Sequence, residues 1–199
     1  MKIFFLFFLI TLIPTVVLAE TKIEVGQTLP TVSLEGKDGV SGELKQNGEI
    51  KYINWDLENH NSKVMTILHL SARKPTEKNI QILVDLLDTE TYGKFSKDHY
   101  ITVNILNYDD IFSIFGISKP IAIKRFIKRF KKCTEAAFVL DDSSTVRDEW
   151  GLTEKGCAVI LLDKNRKVVF YKDGDDKHVL LDMNECKVFL DKFKELINE

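Results

Sequence analysis

The chain has 199 residues, of which 44% are hydrophobic and 29% are charged, with only 10 glycines and 4 prolines. These proportions exclude the disordered, collagen-like and low-complexity classes. The formal net charge of −2 excludes a protein-wide basic field for binding nucleic acid.

Residues 1–19 have the pattern of a cleaved export signal. Lys2 gives the positive start, and a mainly apolar run of 16 residues follows from Ile3, interrupted by Thr11, Pro14 and Thr15. Val17 and Ala19 are the small residues before the cut. The run is shorter than the roughly 20 residues of a spanning helix, which favours a cleaved signal. No second apolar run approaches that length, so we expect no integral membrane span after cleavage. A retained N-terminal anchor is the alternative. The mature chain, residues 20–199, is predicted to be periplasmic and to form a single domain.

The first half of the mature chain predicts a loop-rich lead-in followed by alternating strands and helices. Residues 26–48 favour a hairpin. Residues 64–70 form a continuous apolar run typical of a strand buried on both faces. Pro75 opens a helix, and residues 100–106 form a second strand. The predicted apolar face of this helix consists of Ile80, Leu83, Val84 and Leu87.

The second half begins with a helix opened by Pro120. A third strand follows at residues 136–140, and then a helical turn that carries Val146 and Trp150. Residues 158–162 and 167–171 predict a hairpin with Asn165 at a positive φ. The helix opened by Pro120 buries Ile123, Phe126, Ile127 and Phe130, and the final helix, after Asp182, buries Cys186, Phe189, Leu190, Phe193 and Leu196.

Strands that alternate with helices indicate parallel pairing in one sheet covered on both faces. The order resembles the thioredoxin fold. In redox-active members of that fold, the junction after the first central strand holds a Cys-x-Pro-Cys or similar pair, whereas this chain has Arg73, Lys74, Pro75 and Thr76 there. Cys157, next to Gly156, falls at the position of the cis-proline in the same fold.

More specifically, the chain resembles the YtfJ family of bacterial periplasmic proteins over residues 24–197. The segments that carry the resemblance are residues 25–30, 69–73, 77–79, 138–141 and 172–174. It implies an α/β fold: a thioredoxin-like three-layer α/β/α sandwich with a mixed central sheet and an N-terminal hairpin extension. The family brings no established activity and no catalytic motif.

The sequence has no cysteine at the strand–helix junction where redox-active members of this fold carry out thiol–disulfide exchange. Such exchange needs a thiolate and usually a resolving thiol, and neither Arg73 nor Thr76 supplies one. The cysteines are Cys133, Cys157 and Cys186. If Cys157 lies beside Arg73 and the helix start, the guanidinium should lower its pKa, which makes a single-cysteine redox protein the alternative function. The alternative is that the three cysteines have only a structural role, as small buried side chains or as one disulfide.

Two positively charged segments are candidate binding sites. Arg73, Lys74 and Thr76 start a helix and could hold an anion, or they could simply cap it. The segment 119–132 carries seven cations and no acid, with Lys124, Arg125, Lys128 and Arg129 as candidates for an unknown periplasmic protein or an anionic membrane surface. A solvated outer helix face is the simpler explanation.

The other polar residues give no site. The four histidines lack metal-binding spacing, and His69 is typical of a core residue. The acidic clusters at residues 109–110, 141–142 and 173–176 suit turns better than a calcium loop. We therefore expect no metal, no cofactor and no nucleic acid, and a non-catalytic binding or interaction module.

Overall fold

The computed structural model describes residues 22–38, 40–60, 62–91, 94–96, 98–108, 118–133 and 136–198. The strands are β1 (Ser33–Leu34), β2 (Gly42–Asn47), β3 (Glu49–Ile53), β4 (Trp55–Asp56), β5 (Val64–Ser71), β6 (Tyr100–Asn107), β7 (Ala137–Asp141), β8 (Cys157–Leu162) and β9 (Val168–Gly174). The helices are α1 (Lys74–Asn79), α2 (Gln81–Thr91), α3 (Ser118–Phe130), α4 (Thr145–Trp150) and α5 (Met183–Asn198). The predicted export signal and the pair Asp109 and Asp110 lie outside the described residues.

Seven strands form one mixed sheet in the order β3-β2-β7-β6-β5-β8-β9. β5, β6 and β7 are parallel, as crossover connections require, and the β2–β3 and β8–β9 hairpins add antiparallel strands on the two sides. The N-terminal hairpin is an edge of this sheet because β2 pairs with β7, with Gly42 opposite Leu140. Strands β1 and β4 pair separately.

Buried side chains form one cluster on each face of the sheet. Along β5, Leu68 and Leu70 belong to the first cluster and Met65 and Ile67 to the second, as the alternation of a strand requires. Helices α2, α3 and α5 contribute to the first cluster, whereas α4 and the N-terminal segment contribute to the second. The layers are those of the predicted α/β/α sandwich. No helix in the described ranges is long and apolar enough to span a membrane.

The helix predicted from Pro75 is in fact two helices. α1 ends at Asn79, and α2 begins at Gln81 after a break at Ile80, whose φ and ψ are −109° and 2°. Ile80 is nevertheless buried in the first cluster. The apolar spacing survives the break, so periodicity alone could not reveal it.

Two further details differ from the sequence predictions. In α5, Ile197 is buried and Leu196 is only partly buried, because three helical turns from Cys186 advance the buried stripe by 11 residues. In the β8–β9 turn the positive φ is at Arg166, not Asn165. The Asp163 carboxylate accepts the N–H groups of Asn165 and Lys167, each at 2.8 Å, and thereby fixes the turn.

Candidate functional site

The junction between β5 and α1 lies beside the start of β8. Leu70 is in register with Cys157, and the Ser71 N–H donates to the Gly156 carbonyl at 3.0 Å. The antiparallel pairing of β5 with β8 therefore brings Cys157 close to the junction. Sequence reasoning placed it there correctly.

The start of α1 is held by its own side chains. Arg73 is the extended N-cap residue, and Pro75 follows Lys74, the first helical residue, so Pro75 is one position later than predicted. The fully buried Thr76 hydroxyl contacts the carbonyls of Ser71 and Arg73, each at 2.7 Å. Thr76 therefore faces the backbone and is closed to an external anion.

Arg73 is also engaged within the chain. Its Nε lies 2.6 Å from Asp176 Oδ2, and this carboxylate belongs to the segment after β9, residues 175–180, here called the 175–180 loop. The loop is also tied to α1, since the Asn79 amide donates to the Asp175 carbonyl at 3.3 Å and the Leu180 N–H donates to the Asn79 carbonyl at 3.1 Å. The predicted anion-binding position is thus occupied by a carboxylate of the same chain. The Lys74 side chain lies outside the described part of the structure.

Cys157 does not have the environment of a reactive thiol. It is fully buried, and its pKa is raised to about 12, first by burial and then by Asp173, Asp175 and Asp176. The prediction that Arg73 would lower this pKa is therefore wrong: the neighbouring carboxylates act in the opposite direction, and one of them is paired with Arg73. None of the three cysteines forms a disulfide, and Cys186 is buried whereas Cys133 is exposed.

An open cavity of about 220 Å³ adjoins the loop and is lined by residues 172–175 and 178–180. Within it, Asp173 Oδ2 accepts the Thr153 N–H and hydroxyl, each at 2.8 Å, while burial raises the pKa of Asp173. Asp175 pairs with the exposed His178 at 2.9 Å. The described ranges hold no grouping of three or more side chains suited to a metal ion.

The carboxyl ends of β6 and β7 carry a buried polar group formed by Asn107, Asp141 and Ser144. The fully buried Asp141 accepts the N–H groups of Ser143, Thr145 and Val146 at 2.8–3.3 Å, so it caps α4, and the prediction of turn chemistry for this residue is confirmed. Asn107 donates to the Ser144 hydroxyl at 3.0 Å. These contacts join two strand ends to a helix start and are structural.

His69 lies on β5 and is 1% exposed, as expected for a core residue. Its Nε2 has no hydrogen-bond partner among the described residues. Burial and then the Arg147 charge lower its pKa to about 3. His69 is therefore neutral at physiological pH, with no proton to donate as an imidazolium acid.

α3 presents the second candidate site. Phe126 is buried against Phe138 with ring centroids 5.1 Å apart, and this contact fixes the helix on the sheet. The solvent-exposed surface of α3 and of the turn after it carries six exposed cations, here called the α3 basic surface: Lys124, Arg125, Lys128, Arg129, Lys131 and Lys132. Arg129 reaches Glu77 at 3.2 Å, and the other five make no ion pair with a described residue.

Two curated relatives and one family match the chain. Residues 23–195 match the family described as "Bacterial protein of unknown function (YtfJ_HI0045)". An uncharacterised Haemophilus influenzae protein is 30% identical over 154 residues, which cover 76% of this chain and 78% of the relative. Escherichia coli YtfJ is 26% identical over 153 residues, which cover 76% and 77%.

Solved structures of thiol-disulfide proteins share the architecture. The thioredoxin domain of a Bacteroides vulgatus thiol-disulfide oxidoreductase superposes with a TM-score of 0.51 at 14% identity, covering 86% of this chain and 98% of that domain. A Corynebacterium glutamicum thiol-disulfide isomerase gives 0.54 at 14% identity, covering 87% and 97%. These similarities show a thioredoxin-like fold, and a shared fold does not establish a shared activity.

Proposed function

The chain belongs to the YtfJ family and has a thioredoxin-like fold, and from this we propose that it is an exported periplasmic protein that binds a partner without catalysing a reaction. The observation that carries the proposal is at the start of α1. Arg73 and Thr76 stand where redox-active members of the fold hold cysteines, and both are engaged within the chain. Neither can form the thiolate that disulfide exchange requires.

The state of Cys157 supports the same conclusion. With a pKa of about 12, the thiolate fraction at pH 7 is on the order of 1 in 100,000, against a few per cent for a free cysteine. The thiol is also fully buried. A single-cysteine redox role would need both barriers to be overcome.

The α3 basic surface supplies the binding face in this proposal. Its cations point away from the core, and segment 118–133 contains no acid. The partner is a periplasmic protein or an anionic membrane surface, since either offers negative charge to a basic helix.

Photo-crosslinking in living cells tests the binding role. A photoreactive amino acid at position 128 samples the α3 basic surface, and one at position 164, an exposed lysine in the β8–β9 turn, is the matched control. We expect adducts from position 128, to a protein or to a lipid, that are lost when Lys124, Arg125 and Arg129 are changed to Glu. Equal adducts at both positions, or adducts indifferent to the charge reversal, would contradict the binding role.

Two further measurements address catalysis and export. Insulin reduction driven by dithiothreitol should be no faster with the purified protein than without it. Reduction that disappears in Cys157→Ser would establish the redox alternative instead. The intact mass of protein from a periplasmic extract should correspond to a chain beginning at Glu20, and a retained leader in the extract would contradict cleavage.

A further inference from the structure

The charge of the α3 basic surface is concentrated on one rigid element. On an α-helix each residue advances by about 100°, so Lys124 and Lys128 each lie about 160° around the axis from the buried Phe126, and Arg125 lies about 100° from it. Lys131 and Lys132 continue it in the turn that follows. The 13 residues of α3 make a rod about 20 Å long. Its cations are thus held in a row by a helix that the core fixes in place.

The rest of the protein has the opposite charge. Segment 119–132 holds seven cations, and removing it and residues 1–19 from the count leaves a net charge of −10. Such a separation orients the molecule in the field of an anionic surface, with α3 facing that surface and the acidic remainder away from it. A broad, uniformly anionic surface can attract all the cations of α3 at the same time while the acidic remainder stays at a distance.

The residue types favour lipid headgroups over a protein. Four of the six cations are lysines, which are compact point charges without the bidentate fork of arginine. Protein interfaces are depleted of lysine and centre on aromatic, Met or Arg anchors, and no aromatic or Met belongs to this surface. The exposed apolar residue of α3 is Ile121, at 43% exposure, and a bilayer interface accepts an apolar side chain beside basic ones.

We propose that the α3 basic surface docks onto the anionic phospholipid headgroups of a bilayer, with the α3 axis parallel to the membrane plane. The inference rests on the proposed binding function and specifies its partner. The helix remains packed on the sheet, so docking is electrostatic and reversible and needs no refolding.

The test is co-sedimentation of the full protein, with its native N-terminus, with vesicles of phosphatidylglycerol and phosphatidylethanolamine or of phosphatidylcholine alone. Any apolar contribution from the N-terminal run is common to both vesicle types. The test variant changes Lys124, Lys128 and Lys132 to Gln. The matched control changes Lys51, Lys164 and Lys187, which are exposed and distant in sequence from α3, to Gln. Equal thermal midpoints verify that both variants are folded.

We expect binding to the anionic vesicles to exceed binding to phosphatidylcholine vesicles, and the excess to depend on α3. Each cation near an anionic surface changes partitioning by roughly fivefold, so the test variant should lose about 100-fold in partitioning while the control retains most of it. About 0.5 M salt should abolish binding by screening. Equal binding to both vesicle types, or a loss that is the same in both variants, overturns the inference.

Crosslinking from position 128 separates the two proposals. If vesicles are not bound but an α3-dependent protein adduct forms in cells, the lipid inference fails and the binding function stands. If neither vesicles nor an α3-dependent adduct is found, both fail.

Discussion

Acid should destabilise the protein through His69. The folded state lowers the pKa of this side chain to about 3, first because it is buried and then because Arg147 is nearby. In the unfolded chain, histidine titrates near 6.5. As the pH falls from about 6.5 towards 3, the unfolded chain binds a proton that the folded protein refuses, so stability present at neutral pH is lost over this window.

The two pKa values set the magnitude. Between pH 7 and about pH 4.5, His69 should reduce the free energy of unfolding by about 2.5 kcal/mol. His69→Leu removes the titrating group and suits a site whose β5 neighbours Met65 and Ile67 belong to the apolar second cluster. Urea unfolding of wild type and variant at both pH values gives the change in the free energy of unfolding between pH 7 and about pH 4.5. Comparing these changes does not depend on the absolute stability of the variant.

The matched control is His99→Leu, because His99 is exposed. The free energy of unfolding of this control should fall on acidification by the same amount as that of the wild type. His60, whose pKa burial also lowers, is present in all three proteins and cancels in the comparison. Parallel declines in wild type and His69→Leu would refute the reasoning.

Three more predictions concern the cap of α4, the start of β8 and the thiols. Asp141→Ala removes the acceptor of three N–H groups and should cost about 2 kcal/mol in urea unfolding, whereas Asp142→Ala should cost less than about 0.5; similar losses would contradict the capping role. Gly156→Ala places a methyl group against the β9 backbone, so its thermal midpoint should fall by several degrees for each kcal/mol lost, and an unchanged midpoint would show that β9 yields easily. In alkylation followed by mass spectrometry near pH 8, the exposed Cys133 should react in minutes, but Cys157 only after unfolding; equal rates would show that Cys157 is accessible.

The central strands could be predicted because they are buried on both faces. Residues 64–70 are apolar except for Thr66 and His69, and all eight residues of β5 are buried. The turn carrying Val146 and Trp150 is α4, with both side chains fully buried. In each case a strong local pattern of hydrophobicity agrees with the tertiary environment.

The candidate site was less predictable because its contacts join distant parts of the chain. Arg73 and Asp176 are separated by 103 positions, and neither residue has a local sequence signal for the other. The pKa of Cys157 illustrates the consequence. Sequence order placed Arg73 nearby, but the three carboxylates that raise the pKa come from β9 and the loop beyond it, whose path no periodicity specifies.

The interruption of the helix after Asn79 has a consequence for the 175–180 loop. In an unbroken helix the Asn79 carbonyl would accept the amide of the residue four positions later. Here it accepts the Leu180 N–H instead. The carbonyl that the helix leaves unpaired thus helps to hold a segment about 100 residues further along the chain. A substitution that straightened the backbone at Ile80 would remove this hydrogen bond and leave the loop held by Arg73 and by the Asn79 side chain.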